Sequence, residues 1–309
     1  MILAQDIEKA AALILGGGLV AFPTETVYGL GADATQDLAV AKIYAAKGRP
    51  QFNPLIAHVE DVEAAFALGE FSAGALKLAA RFWPGPLTLV VPRRKNCAVS
   101  MLASAGLASL ALRVPAHHMA LALLRAVGRP VVAPSANPSG RISPTTAEHV
   151  RANMELDLIL DGGPCAVGIE STVVSFISSH PQLLRPGGLA RDVIEDALSE
   201  KLQDAPQGAA FHAPGMLESH YAPHAALRLN ATQSQTDEVF LGFSKFQGDL
   251  NLSVSGDVVE AAANLFRMLH ELDAAHPQRI AVAPIPNTGL GEAINDRLRR
   301  AAAPRTKPC

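Results

Sequence analysis

The chain of 309 residues is poor in cysteine, in aromatic rings and in any excess of one charge. Its three cysteines, Cys97, Cys165 and Cys309, are odd in number, far apart and never in a Cys-x-x-Cys pair. That argues against a disulfide framework or a structural zinc site and fits a reducing cytoplasm. With 26 Lys and Arg against 29 Asp and Glu, the net charge of −3 excludes a generic nucleic-acid binder held by bulk positive charge. A local basic patch for a nucleotide-sized anion remains possible. No apolar run reaches membrane-spanning length before a charge, glycine or proline interrupts it. Asp6, Glu8 and Lys9 stand where a signal peptide would have a basic and then an apolar region. A soluble cytoplasmic protein without a membrane contact is expected.

Common catalytic signatures are absent too. Without Gly-x-x-x-x-Gly-Lys-Ser/Thr, any ATP is not held by a P-loop, and there is no Gly-x-Ser-x-Gly elbow. Gly29-Leu30-Gly31-Ala32-Asp33-Ala34 meets the dinucleotide fingerprint only on paper, because the next helical pattern starts near Asp37. Gly289-Leu290-Gly291 has no strand after its helix to complete a βαβ unit. The triple glycine Gly16-Gly17-Gly18 precedes a strand and reads as a helix stop. His220 and His224 are separated by Pro223, and His117 and His118 are adjacent, so solvated or structural roles are expected for them rather than metal ligation.

What the chain does have is a 49% hydrophobic fraction and 18% charge, the composition of a packed globular protein of about two domains. Apolar periodicity predicts helices over 6–15, 37–46, 73–82, 119–126 and 146–153. Short apolar runs predict strands at 19–22, 55–59, 87–91, 110–114, 131–133, 156–160, 171–176 and 183–185. Helices interleaved with strands imply an α/β (α+β) sheet covered by helices. From about Gln203 to His224, prolines and glycines without a period suggest a linker long enough to carry a function. Beyond it, strands at 239–243 and 279–284 and helices at 258–272 and 291–302 make a second, small α/β unit.

Chemistry-bearing residues cluster in several separated runs. Pro23-Thr24-Glu25-Thr26-Val27-Tyr28-Gly29-Leu30-Gly31 carries hydroxyls and glycines, the latter assigned to shaping a turn. Lys47-Gly48-Arg49-Pro50 and Asn53-Pro54-Leu55 follow the second helix, where side chains in a turn can converge on a ligand. Arginine offers a planar fork of donors to phosphate oxygens and lysine a compact charge. Ser135 and Asn137 in Pro134-Ser135-Ala136-Asn137-Pro138 follow a strand, and Gly168-Ile169-Glu170-Ser171-Thr172-Val173 answers them downstream. Read alone, each pair could be an ordinary turn or a solvated surface.

The ordered set of these runs, with Phe82-Trp83-Pro84-Gly85-Pro86-Leu87-Thr88 and Leu184-Arg185-Pro186-Gly187, resembles the YrdC-like L-threonylcarbamoyladenylate synthases over residues 6–200. Pro214-Gly215-Met216, Ser219-His220-Tyr221-Ala222-Pro223 and Gly289 to Leu298 resemble the longer, two-domain branch. The resemblance implies a twisted, open, mostly antiparallel YrdC-like sheet in residues 1–203, a linker and lid in 204–226, and a small Rossmann-like domain in 227–309. It implies a nucleotidyltransferase that joins L-threonine, bicarbonate and ATP into threonylcarbamoyl-AMP and pyrophosphate. The product serves the N6-threonylcarbamoyladenosine modification of tRNA. Thr26, His58, Arg113 and Ser171 would line the threonine and carbamate end, with Arg113 facing the threonine carboxylate. Lys47, Arg49, Asn53, Ser135, Asn137, Ser143 and Arg185 would surround ATP, with Lys47 and Arg49 as the catalytic cations. His220 and Tyr221 would approach from the lid. Magnesium would come with ATP, without ligands from protein side chains and without an organic cofactor. Partner proteins for transfer to tRNA, and binding of tRNA or double-stranded RNA, are compatible with the family.

The chain departs from the branch at Leu217 and Glu218, where basic and aromatic residues are usual. Two other readings compete. A non-catalytic RNA-binding module is disfavoured by the near-neutral charge. A carbamoyltransferase of the hydrogenase-maturation type would need zinc-finger cysteines and additional length.

Overall fold

The computed structural model describes residues 4–50, 53–205 and 219–304. Strands β1 (Val20–Phe22), β2 (Gly29–Asp33), β3 (Ile56–His58), β4 (Leu87–Pro92), β5 (Ser109–Arg113), β6 (Val131–Val132), β7 (Thr172–Ser175), β8 (Gln182–Arg185) and β9 (Gln203–Asp204) form one sheet. Their spatial order is β1-β2-β6-β3-β5-β4-β7-β8-β9. The β3–β5, β4–β7 and β8–β9 pairs are parallel and the other five antiparallel, so the expected mostly antiparallel sheet is present. Helices α1 (Ala4–Leu15), α2 (Asp37–Lys47), α3 (Val62–Leu68), α4 (Ala73–Phe82), α5 (His118–Val127), α6 (Ala147–Arg151) and α7 (Arg191–Leu198) connect and cover it.

Strands β10 (Ala226–Arg228), β11 (Glu238–Gly242), β12 (Leu250–Asn251) and β13 (Arg279–Val282) form a second sheet in the order β10-β13-β11-β12, parallel throughout. Helices α8 (Val258–Ala274) and α9 (Gly291–Ala302) accompany it. No helix among the described residues is long and apolar enough to cross a membrane.

Local chemistry explains the element ends. Gly48 sits at φ 58 after α2, the left-handed conformation that stops a helix without steric cost. The Ser72 hydroxyl accepts from the Ala75 amide at the start of α4, and Asp257 accepts from Val259 and Glu260 at the start of α8. Ile43 of α2 and Leu78 of α4 pack on Leu30, Leu89, Leu112 and Val132 of the large sheet. On its edge, Ile14 of α1 meets Leu123 and Leu124 of α5 beside Phe22. The core of the second sheet combines Leu265, Phe266 and Leu269 of α8 with Ile294 and Leu298 of α9. It also takes in Val27, Ile142, Ile169 and Tyr221 from outside that unit.

Two expectations change. Residues 156–160 are not a strand; Ile159 makes only an isolated bridge to Ala21, flanked by Ala21 N to Leu158 O and Leu160 N to Ala21 O. Gly29 and Gly31 do not shape a turn but lie in β2, paired with Phe22 and Val20. A Cβ on Gly31 would fall 2.8 Å from a Phe22 ring carbon, so the absent side chain makes room for that ring.

Candidate active site

The site runs along neighbouring strand ends of the large sheet. His58 at the end of β3 is in direct register with Arg113 at the end of β5, which places the two side by side. Thr26 lies in the β1–β2 loop, Ser135 just after β6, Ser171 just before β7 and Arg185 at the end of β8. Together with Val27, Arg49, Ile56, Ala133, Pro134, Glu170, His220 and Tyr221, these residues line one cleft. Of the expected site, Lys47, Asn53, Asn137 and Ser143 do not line it and act from behind.

Around Thr26 and Arg113 the hydroxyls form a directed chain. Thr24 Oγ1 donates to the Val27 carbonyl at 2.7 Å, which uses its only proton. In the 2.8 Å Thr24–Thr26 contact the donor must therefore be Thr26. Arg113 Nη1 donates to Thr26 Oγ1 at 3.0 Å, Nη2 to Glu25 Oε1 at 2.6 Å and Nε to Gly85 O at 3.2 Å. Thr26 thus has no proton to surrender to a base. Burial, with the Arg113 charge adding to it, pushes His58 down to about 3, so its imidazole is neutral.

The opposite end of the cleft is stitched together by Lys47, the last residue of α2. Its Nζ donates to the main-chain oxygens of Ser135 and Asn137, and its own carbonyl accepts from Ser139 N at 2.8 Å. Lys47 orders the 135–139 loop rather than projecting freely. Arg49 leans on its own turn, with Nε to Asn53 O at 3.3 Å and Nη2 to Pro54 O at 3.2 Å. Asn137 Nδ2 donates to Pro138 O and Arg141 O, both at 2.9 Å. Arg185 grips the Ser171 carbonyl through Nε at 3.1 Å and Nη2 at 2.8 Å. Ser171 Oγ lies 2.7 Å from Thr88 Oγ1.

Glu170 and Glu25 were quoted in the sequence runs but given no role. Glu170 accepts from Ser143 Oγ on one oxygen and from Arg297 Nε at 2.9 Å on the other. A lone acid inside a run of hydroxyl and apolar residues was the available signal in both cases. His220 and Tyr221 close the cleft, 6% and 1% exposed, with Tyr221 at φ 64. The expected linker residues 206–218, including Pro214 to Met216, Leu217 and Glu218, lie outside the described residues.

Buried cations outnumber carboxylates here: Lys47, Arg49, Arg113, Arg185 and Arg297 against Glu25 and Glu170. Burial, reinforced by the Arg49 charge, lowers Lys47 well below the usual lysine range. Burial likewise takes Arg49 down to about 10. A polyphosphate would relieve this crowding. Buried side-chain atoms without a partner concentrate at the same place: Glu25 Oε2, both polar atoms of the Asn53 amide, His58 Nδ1, Asn137 Oδ1 and His220 Nδ1. Such groups are rare in folded proteins, and a polar ligand would satisfy them.

The cleft encloses only about 40 Å³, against roughly 300–1,000 Å³ for a typical small-molecule pocket. His220 and Tyr221 must therefore shift to admit substrates. A larger cavity of about 530 Å³ lies between α6 and α8. None of the expected site residues lines it; within its lining Arg267 pairs with Glu271 at 3.2 Å and His224 Nδ1 lies 2.9 Å from Asp273 Oδ2. Among the described residues no three His, Cys, Asp or Glu side chains gather to hold a metal.

Comparison with known proteins agrees with this geometry. A family model described as telomere recombination, Sua5_yciO_yrdC, matches residues 12–187. A second, described as threonylcarbamoyl-AMP synthase, C-terminal domain, matches residues 189–303. The threonylcarbamoyl-AMP synthase of Pyrococcus abyssi is 40% identical, with 97% of this chain and 94% of that protein aligned. That of Bacillus subtilis is 40% identical over the same shares. The crystal structure of P. abyssi Sua5 complexed with L-threonine superimposes with a TM-score of 0.90 at 39% identity, covering 98% of this chain and 95% of that one. Escherichia coli YciO, 22% identical with a TM-score of 0.55, covers 60% of this chain and 91% of its own, and shares the fold of the first domain. The chain belongs to the threonylcarbamoyl-AMP synthase family, in the branch that carries both the Sua5/YciO/YrdC domain and the Sua5 C-terminal domain.

Proposed function

We propose that the chain is a nucleotidyltransferase that condenses L-threonine, bicarbonate and ATP into threonylcarbamoyl-AMP, releasing water and pyrophosphate. The observation that carries this reading is one cleft with two chemically different ends. Arg113, Thr26 and neutral His58 face one end, and Arg49, Arg185 and Ser135 the other.

In the reaction the threonine amine adds to bicarbonate and loses water to give a carbamate. A carbamate oxygen then attacks the α-phosphorus of ATP, and the bond to the departing pyrophosphate breaks. Little covalent work is asked of the protein; positioning and neutralisation of spread charge suffice. Arg113 takes the threonine carboxylate through N–H groups that Thr26, Glu25 and Gly85 leave over. Neutral His58 beside it can hydrogen-bond the carbamate without adding a charge. Lys47 holds the Ser135–Asn137 loop for the nucleotide, and Arg49 and Arg185 balance the phosphates. Magnesium would come with the triphosphate and supply charge neutralisation there, while Glu25 and Glu170 are each engaged by an arginine. Enclosure behind His220 and Tyr221 keeps water from the acyl phosphate.

Purified protein should release pyrophosphate from ATP only when L-threonine and bicarbonate are both supplied. Release that ignores threonine would sink the reading.

A further inference from the structure

The run Gly289 to Leu298 has no part in the reaction just described, yet it delivers the most enclosed arginine near the cleft. Arg297 on α9 is 1% exposed. Its Nε donates to Glu170 Oε2 at 2.9 Å and its Nη1 to Asp296 Oδ2 at 2.7 Å. Its guanidinium carbon stands 5.0 Å from the centre of the Tyr221 ring, and that ring stacks on Phe266 of α8 at 5.6 Å. One side chain from the second domain therefore touches both the carboxylate and the aromatic wall of a site built mainly on the first.

We propose that Arg297 is a positioning residue for the reaction: it fixes the Glu170 carboxylate toward Ser143 and holds the Tyr221 ring over the cleft. The nucleotide end is then complete only with the second domain docked. This inference rests on the synthase reading above.

The chemistry runs through Ser143. Its one hydroxyl proton is committed to Glu170 Oε1, so Ser143, fully buried behind the cleft, fixes the direction of the Glu170 carboxylate that does line it. That direction requires Glu170 to be ionised. Burial alone would raise the Glu170 carboxyl, but the Arg297 and Arg185 charges and the Ser143 hydroxyl hold it below the usual range. The charged and titratable groups that bear on Glu170 are Arg297 and Asp296 from α9, Arg185 from β8, Lys47 from α2, and His220 and Tyr221 from the segment before β10. The bond Glu170 receives from Arg297 Nε is an ion pair at 2.9 Å. Without that partner the buried carboxylate loses the largest of the charges that keep it ionised and holds its proton to higher pH, which weakens the fixed direction of the Ser143 bond.

The test uses the full chain as wild type, R297K, R297Q, E170Q and E170Q/R297Q, with pyrophosphate release followed across pH and folding followed by thermal melting. Rates are taken as ratios to wild type at each pH, which cancels ionisation of the shared substrates. R297Q should lower kcat by roughly 10- to 100-fold, the scale for losing an outer partner of a site residue. Its ratio should fall further as pH drops, because Glu170 now protonates at higher pH. R297K should restore the wild-type pH course and part of the rate. The double variant should lose less than the two single losses multiplied, because much of both acts through one pair. If R297Q does not fold, the paired E170Q/R297Q and R297K carry the comparison. An R297Q ratio that is flat in pH, or losses that simply multiply in the double variant, would overturn the inference. Wild type that releases no pyrophosphate with threonine overturns the synthase reading instead.

Discussion

Arg113 Nη2 lies 2.6 Å from Glu25 Oε1, so the arginine that faces the threonine end enters the reaction already ion-paired. A guanidinium has five N–H groups. The bonds to Gly85, Thr26 and Glu25 use three and leave two for a carboxylate. Lysine cannot reproduce that division. R113K should raise the KM for threonine and cut kcat/KM by about 10- to 150-fold, the effect of losing charge-assisted bonds of roughly 1.5–3 kcal/mol. The KM for ATP should move little. Steady-state kinetics with each substrate varied decides the point, and equal changes in both constants would contradict the assignment.

Lys47 gives a different signature. Burial and Arg49 depress its pKa, so part of the protein carries a neutral Lys47 at alkaline pH. Nucleotide phosphates favour the charged form and raise the pKa again, so ATP binding should take up a proton between the two values. Calorimetry of an unreactive ATP analogue in buffers of different ionisation enthalpy should reveal that uptake, and K47A should abolish it. K47A and R49A should each lower turnover by roughly 10- to 1,000-fold, as loss of one charge-stabilising group does.

His58, down at about 3, and His220, well below its ordinary value, make the fold acid-sensitive. The unfolded chain protonates them near 6.5 and the folded chain does not. Between those values the unfolded state binds more protons, and stability is lost as pH falls from about 6.5 toward 3. At about 1.4 kcal/mol per pH unit, His58 alone costs up to roughly 5 kcal/mol at the acid end. Urea unfolding at pH 7.5 and 4.5 should show the loss, and H58N should reduce it. Histidine resonances from these two residues that titrate between pH 6 and 7 would disprove their neutrality.

Gly187 marks a tight crossing beneath the site. A Cβ there would fall 2.4 Å from Glu170 O and Ser171 C and 2.5 Å from Thr172 N. All three are main-chain atoms and cannot swing aside. G187A should displace Glu170 and Ser171 together, destabilising the protein by roughly 1–3 kcal/mol as overpacking does. It should also lower kcat. Melting and kinetics on the same preparation measure both, and an unchanged melting temperature would refute the crossing.

Local signals made much of the fold legible. The apolar patterns over 37–46, 73–82 and 291–302 place α2, α4 and α9 to within a residue of their ends. Strand β2 was hidden because Gly-Leu-Gly-Ala-Asp holds no β-branched or aromatic residue, and its glycines answer to Phe22 rather than to a turn. The apolar run 156–160 carried a strand pattern without a strand's partners. In the site, the cations and hydroxyls stood in recognisable runs. The ion pair of Glu170 and Arg297 did not, since 127 residues separate its members and only the folded chain brings them together.

Three residues in the core of the second sheet are chain neighbours of site residues. Val27 follows Thr26, Ile142 precedes Ser143 and Ile169 precedes Glu170. These three site residues are thus moored, one residue away, in a core that belongs mostly to the other domain. Heat or a cavity made at Leu265 or Phe266 should slacken those moorings before the large sheet yields. The chain should then lose activity and its first melting transition at the same temperature, and the second domain works as the site's thermal fuse.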